Sequence, residues 1–356
     1  MNAAMLERSK VDAFADRIVD ALNKAALIQM LSLGHRTGLF DTMAELPPST
    51  SPEIARAANL HERYVREWLG AMVVSGIVDY SPRERTYYLP REHAVCLSRQ
   101  SPMENLAVLA QYIPLLGTVE DDIVRCFKHG GGVPYASFRR FHEVMAEDSG
   151  QSVLRALKDY ILPLVPGLAS RLDKGIDVLD IGCGRGRIMN SLARTFPNSR
   201  FRGYDISDEA IDFANKEAAV NGSTNIHFTV QDVASFDDED AFDLITAFDA
   251  IHDQAYPDVV LRNIHRALRF KGVFLMQDIQ AHSHVDGNLD HPIGTLLYTI
   301  SCMHCMTVSL SANGMGLGAV WGEQTALRML DEAGFKNVRI EKLKHDIQNQ
   351  FYIMTK

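Results

Sequence analysis

Residues 176–187 read IDVLDIGCGRGR. Ile176 to Ile181 is an apolar run of strand length, and Gly182, Gly184 and Gly186 follow it before a helix predicted from Ile188 to Thr195. Strand, glycine turn and helix N-terminus is the layout of a nucleotide-binding crossover in a parallel sheet. Glycines at such a turn let the backbone bend sharply and approach a ligand closely.

The ligand type follows from charge. A dinucleotide loop of the form G-x-G-x-x-G would place its third glycine at position 187, which is Arg. Asp180 ends the strand at the mouth of the loop. A carboxylate there suits an ammonium group and opposes a pyrophosphate. S-adenosylmethionine (SAM) carries an ammonium and no phosphate, so the pattern favours SAM over NAD.

Further acids end the next predicted strands. Phe201 to Asp205 is a second strand, and the Asp205 carboxylate can accept from two ribose hydroxyls. Ile226 to Val230 is a third, followed by Asp232, able to accept from an adenine amine, and Val233, whose amide can donate to a ring nitrogen. Phe242 to Phe248 is a fourth strand and Val273 to Gln277 a fifth, entered from a helix ending in Arg269-Phe270-Lys271-Gly272. Val338 to Leu343 and Phe351 to Met354 supply a closing hairpin. The expected cofactor contacts are Asp180, Gly182, Cys183, Gly184, Gly186, Asp205, Ile206, Asp232, Val233 and Phe248.

This β-α-β order resembles the class I SAM-dependent methyltransferases over residues 175–356. The whole chain resembles a narrower group, the bacterial-type two-domain methyltransferases with an N-terminal winged helix. The stretches GLFDTMAELP, ERYVREWLGAMVVSGIVDY, HGGGVPYASF, AFDAIHDQAYP and VSLSANGMGLGAVWGEQ carry that likeness. The resemblance implies an α/β protein with a Rossmann-like seven-stranded methyltransferase domain and an α-helical winged-helix domain that dimerises and walls the substrate pocket. It implies SAM as cofactor, S-adenosylhomocysteine (SAH) as product and a small-molecule methyl acceptor, with O-methylation foremost and N- or S-methylation open. The expected domains are 1–100 for the winged helix, 101–170 for a helical linker and 171–356 for the methyltransferase domain.

His252 falls just beyond the fourth strand, where doubly wound sheets bind ligands. It is the candidate general base, with Asp253 or Asp249 to orient it. His345-Asp346 is a second candidate, in the turn before the last strand. The segment after the fifth strand exceeds a simple crossover and holds SCMHCM, Ser301 to Met306. Its C-x-x-C spacing admits a metal site or a redox pair, but no second C-x-x-C accompanies it, so a cap helix over the substrate is expected and no metal. Tyr135, Phe138, Cys302, His304 and Trp321 are the expected substrate-pocket residues.

Upstream, residues 10–34 read as an amphipathic helix with Val11, Phe14, Ile18, Leu22 and Ala25 on one face. Residues 51–89 read as a winged helix, its first helix capped by Ser51 and its second carrying Tyr64, Val65, Trp68, Leu69 and Met72 inward. Five Lys/Arg there meet five Asp/Glu, so the electrostatic footprint of a DNA reader is missing and a dimerisation scaffold is expected. The 356-residue chain has a net charge of -9, which disfavours nucleic-acid and anionic-membrane partners. Five scattered cysteines suit a reducing compartment. With no secretion signal and no apolar run of spanning length, a cytoplasmic location is expected.

Overall fold

The computed structural model describes residues 6–101 and 103–356. It divides into two compact units, Met1–Leu115 and Leu116–Lys356.

The first unit opens with a helix, Arg8–Arg36, followed by helices Leu39–Glu45, Ser51–Ala58 and Glu62–Val74. A short hairpin, β1 (Asp79–Ser81) and β2 (Thr86–Tyr88), forms the wing. Thr50, not Ser51, caps the helix that begins at Ser51: it exchanges hydrogen bonds with Glu53 in a capping box. Ser51 instead donates to Glu62 Oε1 at 2.6 Å, tying two helices together. Leu39, Phe40, Ile54, Val65, Leu69 and Met72 form the core around Trp68. The Trp68 indole donates to the Met30 carbonyl at 2.9 Å and meets Phe40 edge-on. Tyr64 departs from expectation, being 77% exposed. It sits one residue before Val65, about 100° round the helix, and so falls off the buried stripe. On the first helix only Ser32, Gly34 and His35 are buried, while Phe14 and Leu22 are 61% and 65% exposed.

The second unit is built on a seven-stranded sheet: β3 (Asp177–Ile181), β4 (Arg200–Asp205), β5 (Ile226–Val230), β6 (Phe242–Phe248), β7 (Leu268–Ile279), β8 (Lys336–Glu341) and β9 (Asn349–Thr355). Their order is β5-β4-β3-β6-β7-β9-β8. The first five strands are parallel, and β9 runs antiparallel to both neighbours. Side chains of β3 alternate between two cores: Val178 packs on one face, Leu179 and Ile181 on the other. Both faces are therefore covered, which explains why β3 reads as a near-continuous apolar run.

β7 begins at Leu268, five residues before the predicted start, because the preceding helix ends at Ala267. Charged Arg269 and Lys271 flank an exposed Phe270 and break the apolar run, and Lys271 adopts φ 64 where the register with β6 breaks. Strand order reverses between β3 and β6, so a crevice opens beyond their carboxyl ends. Among the described residues no helix is long and apolar enough to cross a membrane.

Candidate active site

The glycine loop leaves β3 at the reversal point. Gly182 and Gly186 adopt φ 65 and 67. A Cβ on Gly182 would lie 2.5 Å from Ala250 Cβ, and one on Gly186 would lie 2.5 Å from the Phe228 ring. Those two glycines serve close packing. Gly184 differs: a Cβ there would point into open space. The cradle is therefore tight on its protein side and open above Gly184, which fits a ligand lying on the loop.

Asp205, at the end of β4, holds this loop. Its Oδ2 accepts the Gly184 N–H at 2.8 Å and its Oδ1 accepts the Ser207 N–H at 2.9 Å. Ile206 beside it is exposed, and Cys183 is half-buried with burial and nearby Asp205 holding its thiol protonated. Asp180 is buried, and Thr246 donates to its Oδ1 at 2.6 Å. Burial raises the Asp180 pKa to about 7, with Asp205 adding to the rise against the Thr246 hydrogen bond. Asp232 is exposed, accepts the Ala234 N–H and shapes the turn after β5, while Val233 packs into the core. Phe248 lines the end of β6 against the other core.

His252 lies in the loop after β6 and is 4% exposed. Its Nδ1 bonds Asp278 Oδ1 at 2.8 Å. Asp278, near the end of β7, also accepts from its neighbour Ile279 N–H at 2.8 Å and from the Trp321 indole at 3.0 Å. The partner of His252 is thus Asp278, not Asp249 or Asp253. Burial alone would depress the His252 pKa, but the Asp278 carboxylate and the Cys305 thiol beside it carry it well above the ordinary histidine value. With Nδ1 on Asp278 and the Cys305 thiol also hydrogen-bonding the ring, any proton exchanged with a ligand would pass through Nε2.

Asp249 turns away to Gln277, whose amide donates to Oδ2 at 2.8 Å. Burial, with Asp278 nearby, raises its pKa to about 8, so it keeps its proton at neutral pH. Its other oxygen and the Gln277 carbonyl oxygen lack further partners. Asp253 is raised to about 6, mainly by burial. Asp346 caps its turn by accepting from Gln348 and Asn349, and His345 packs beside Tyr160.

Trp321 is buried and joins the His252–Asp278 network. SCMHCM forms one turn of π-helix, Ser301–Cys305, with the Met306 N–H reaching back to the Ser301 carbonyl. Cys302 is half-buried and Cys305 buried, both as free thiols. His304 is fully buried, stacked on Phe141 at 3.6 Å between centroids, with Phe138 and Tyr135 edge-on at 4.6 and 5.3 Å. Among the described residues no cluster of three or more His, Cys, Asp or Glu is arranged to hold a metal ion.

Sequence reasoning missed Asp278, Thr246 and Phe141. Asp278 was findable, as an acid closing the fifth strand like those closing the first two. Phe141 and Thr246 carry no sequence signal of their own.

Two family matches now bear on this geometry. Residues 25–99 match the Rv2258c-like winged HTH domain, and residues 172–334 match a methyltransferase domain. The chain joins a winged helix to a class I SAM-dependent methyltransferase domain. A fatty-acid O-methyltransferase of Mycolicibacterium smegmatis is 32% identical over 123 residues, 34% of this chain. The matched part spans 44% of that relative's length. In fold, a putative O-methyltransferase from Nostoc punctiforme aligns with TM-score 0.72 at 19% identity, covering 97% of this chain and 98% of its own. Human N-acetylserotonin methyltransferase in complex with SAM aligns with TM-score 0.66 at 17% identity, covering 100% and 99%. The methyltransferase domain thus sits in the two-domain fold of these proteins.

Proposed function

We propose that the protein transfers the SAM methyl group to an oxygen of a small acceptor. The observation that carries this reading is the Asp278–His252 pair at the carboxyl end of the sheet, in the same crevice as the acid-flanked glycine loop. Bound SAM would supply an activated methyl sulfonium. Asp205 would hold its ribose, Asp180 its ammonium group, and Asp232 and Val233 its adenine. Gly182, Cys183, Gly184 and Gly186 would form the bed of the site, with Ile206 and Phe248 beside it. His252 Nε2 takes the acceptor proton while Asp278 holds the ring and the charge that forms on it. Tyr135, Phe138, Cys302 and His304 give the acceptor side an aromatic and thiol wall, and Trp321 steadies Asp278.

The test is SAH calorimetry followed by incubation with methyl-labelled SAM and a panel of hydroxyl, amine and thiol acceptors. SAH binding with O-methyl products is expected. Absence of SAH binding sinks the cofactor assignment, and products labelled only at nitrogen or sulfur sink the oxygen assignment.

The winged helix fits a scaffold role. Its arginines Arg63 and Arg66 are paired with Glu67 and Glu62 along the same helix, which leaves little net charge for phosphates. The apolar side chains Val11, Phe14, Ile18 and Leu22 lie exposed on the first helix, and a second copy of the chain would cover them. Light scattering should give a dimer mass, and Phe14→Glu with Leu22→Glu should give a monomer. A wild-type monomer would refute this assembly.

A further inference from the structure

The SCMHCM turn contains a buried group that the transfer reaction as described does not use. His304 is 0% exposed, and neither ring nitrogen has a hydrogen-bond partner. A fully buried imidazole with two idle nitrogens is costly, and such groups call for an explanation in function. The surroundings explain the burial but not the choice of residue. Phe141 covers one face of the ring at an interplanar angle of 6°, and Phe138 and Tyr135 meet it edge-on. A phenylalanine would satisfy that cage better than a histidine.

The position is held firmly. Val133 N–H donates to Thr307 Oγ1 at 2.8 Å, and a Cβ on Gly132 would sit 2.0 Å from the Thr307 carbonyl oxygen. The triple-glycine segment is therefore pressed against the helix that continues from the π turn. Ser309, one turn further on, donates to the Gln254 carbonyl at 2.9 Å, tying that helix to the loop of His252. The extra residue of a π turn changes which side chains face inward, and such turns recur at functional sites. Here it buries His304 and Cys305 together, with Cys305 beside His252.

We propose that His304 is the specificity-determining residue of the acceptor site, hydrogen-bonding an uncharged hydroxyl or carbonyl group of a flat, largely apolar acceptor. This rests on reading the crevice as a methyl-transfer site. Burial first, then the charge on His252, lowers the His304 pKa to about 3, so the ring is neutral and offers one donor and one acceptor. A carboxylate acceptor would be disfavoured here. Asp253 is under the influence of Asp205 and Asp278, with the imidazole of His252 against them, while His142 also acts on His304. An added anion meets repulsion from Asp253, Asp205 and Asp278, whereas a neutral polar group does not; Asp249, protonated at neutral pH, adds no repulsion.

The test uses the full chain saturated with SAH and two probes of the same ring system, 2-naphthol and 2-naphthoate. 2-Naphthol should raise the melting temperature of the wild type, 2-naphthoate should raise it less, and the naphthol shift should vanish in His304→Phe and His304→Leu. Without any probe, the better tolerated of these two variants should melt higher than wild type by about 2–4 °C, because an unpartnered polar group has been removed from the interior. SAH affinity should stay within about twofold in both, as RT ln 2 is well under a hydrogen bond's worth. A naphthol shift that survives both variants, a larger shift with naphthoate, no shift with either probe, or lower melting in both variants would overturn the proposal. Failure of the wild type to bind SAH would instead remove the methyl-transfer reading beneath it.

Discussion

His252→Asn is expected to cut turnover by roughly a hundred- to ten-thousand-fold while leaving SAH affinity near wild type, the range for removal of a positioned general base. The reason lies in its pairing: Asp278 holds Nδ1 at 2.8 Å, which leaves Nε2 as the nitrogen proposed to take the acceptor proton. The pH dependence carries a sign. Asp278 and Cys305 stabilise the protonated ring, which must lose its proton before it can act as a base. The ascending limb of kcat/KM should therefore lie well above about pH 6.5, the ordinary histidine value. Asp278→Asn removes the chief cause of that rise and leaves burial opposed only by Cys305, so its limb should move down in pH while the rate falls. A His252→Asn enzyme of wild-type rate, or an ascending limb at or below the ordinary histidine value, would remove His252 from the reaction. Stability runs the other way. His252 is raised in the folded state, so its contribution is complete below about pH 6.5 and is lost as pH rises through the folded value. Asp249 likewise holds a proton when folded up to about pH 8, so its contribution also declines as pH rises, from the ordinary carboxylate range towards that value. The enzyme should be most active where it has already given up some stability.

Asp205→Ala should weaken SAM binding about a hundredfold, as two hydrogen bonds to a charged group are worth about 3 kcal/mol or more. Each Asp205 oxygen already takes a backbone N–H, from Gly184 and from Ser207. Removing the carboxylate should therefore relax the glycine loop and also delete the proposed ribose contact. Asp205→Asn keeps one acceptor and should fall between. Calorimetry that finds Asp205→Ala unchanged would discard this role. SAM affinity should also rise as pH passes about 7, where Asp180 loses its proton and becomes able to pair with an ammonium group. In Asp180→Asn that rise should disappear.

Much of the fold was legible because local patterns and tertiary burial agree. β3 is apolar along its length because both faces are covered, and Asp180 and Asp205 stand at strand ends where a parallel sheet presents its ligand crevice. Misreadings arose where a local pattern was outvoted. Tyr64 looks apolar but lies just off the buried stripe, and charged Arg269 and Lys271 conceal the start of β7. Ser51 has the chemistry of a cap, yet Thr50 is the residue that reaches Glu53.

The sequence by itself determined the sheet, the glycine loop, the acids that close its strands and the choice of SAM over a dinucleotide. These follow from residue type at short spacing, where geometry is set by the backbone. Only the tertiary structure decided that His252 pairs with Asp278, 26 residues away, and that Asp249 turns to Gln277. It alone showed that SCMHCM winds into a π turn and sets His304 among Tyr135, Phe138 and Phe141. Those pairings join segments distant in the chain. Their geometry depends on how strands align and how helices pack, and no local spacing encodes it.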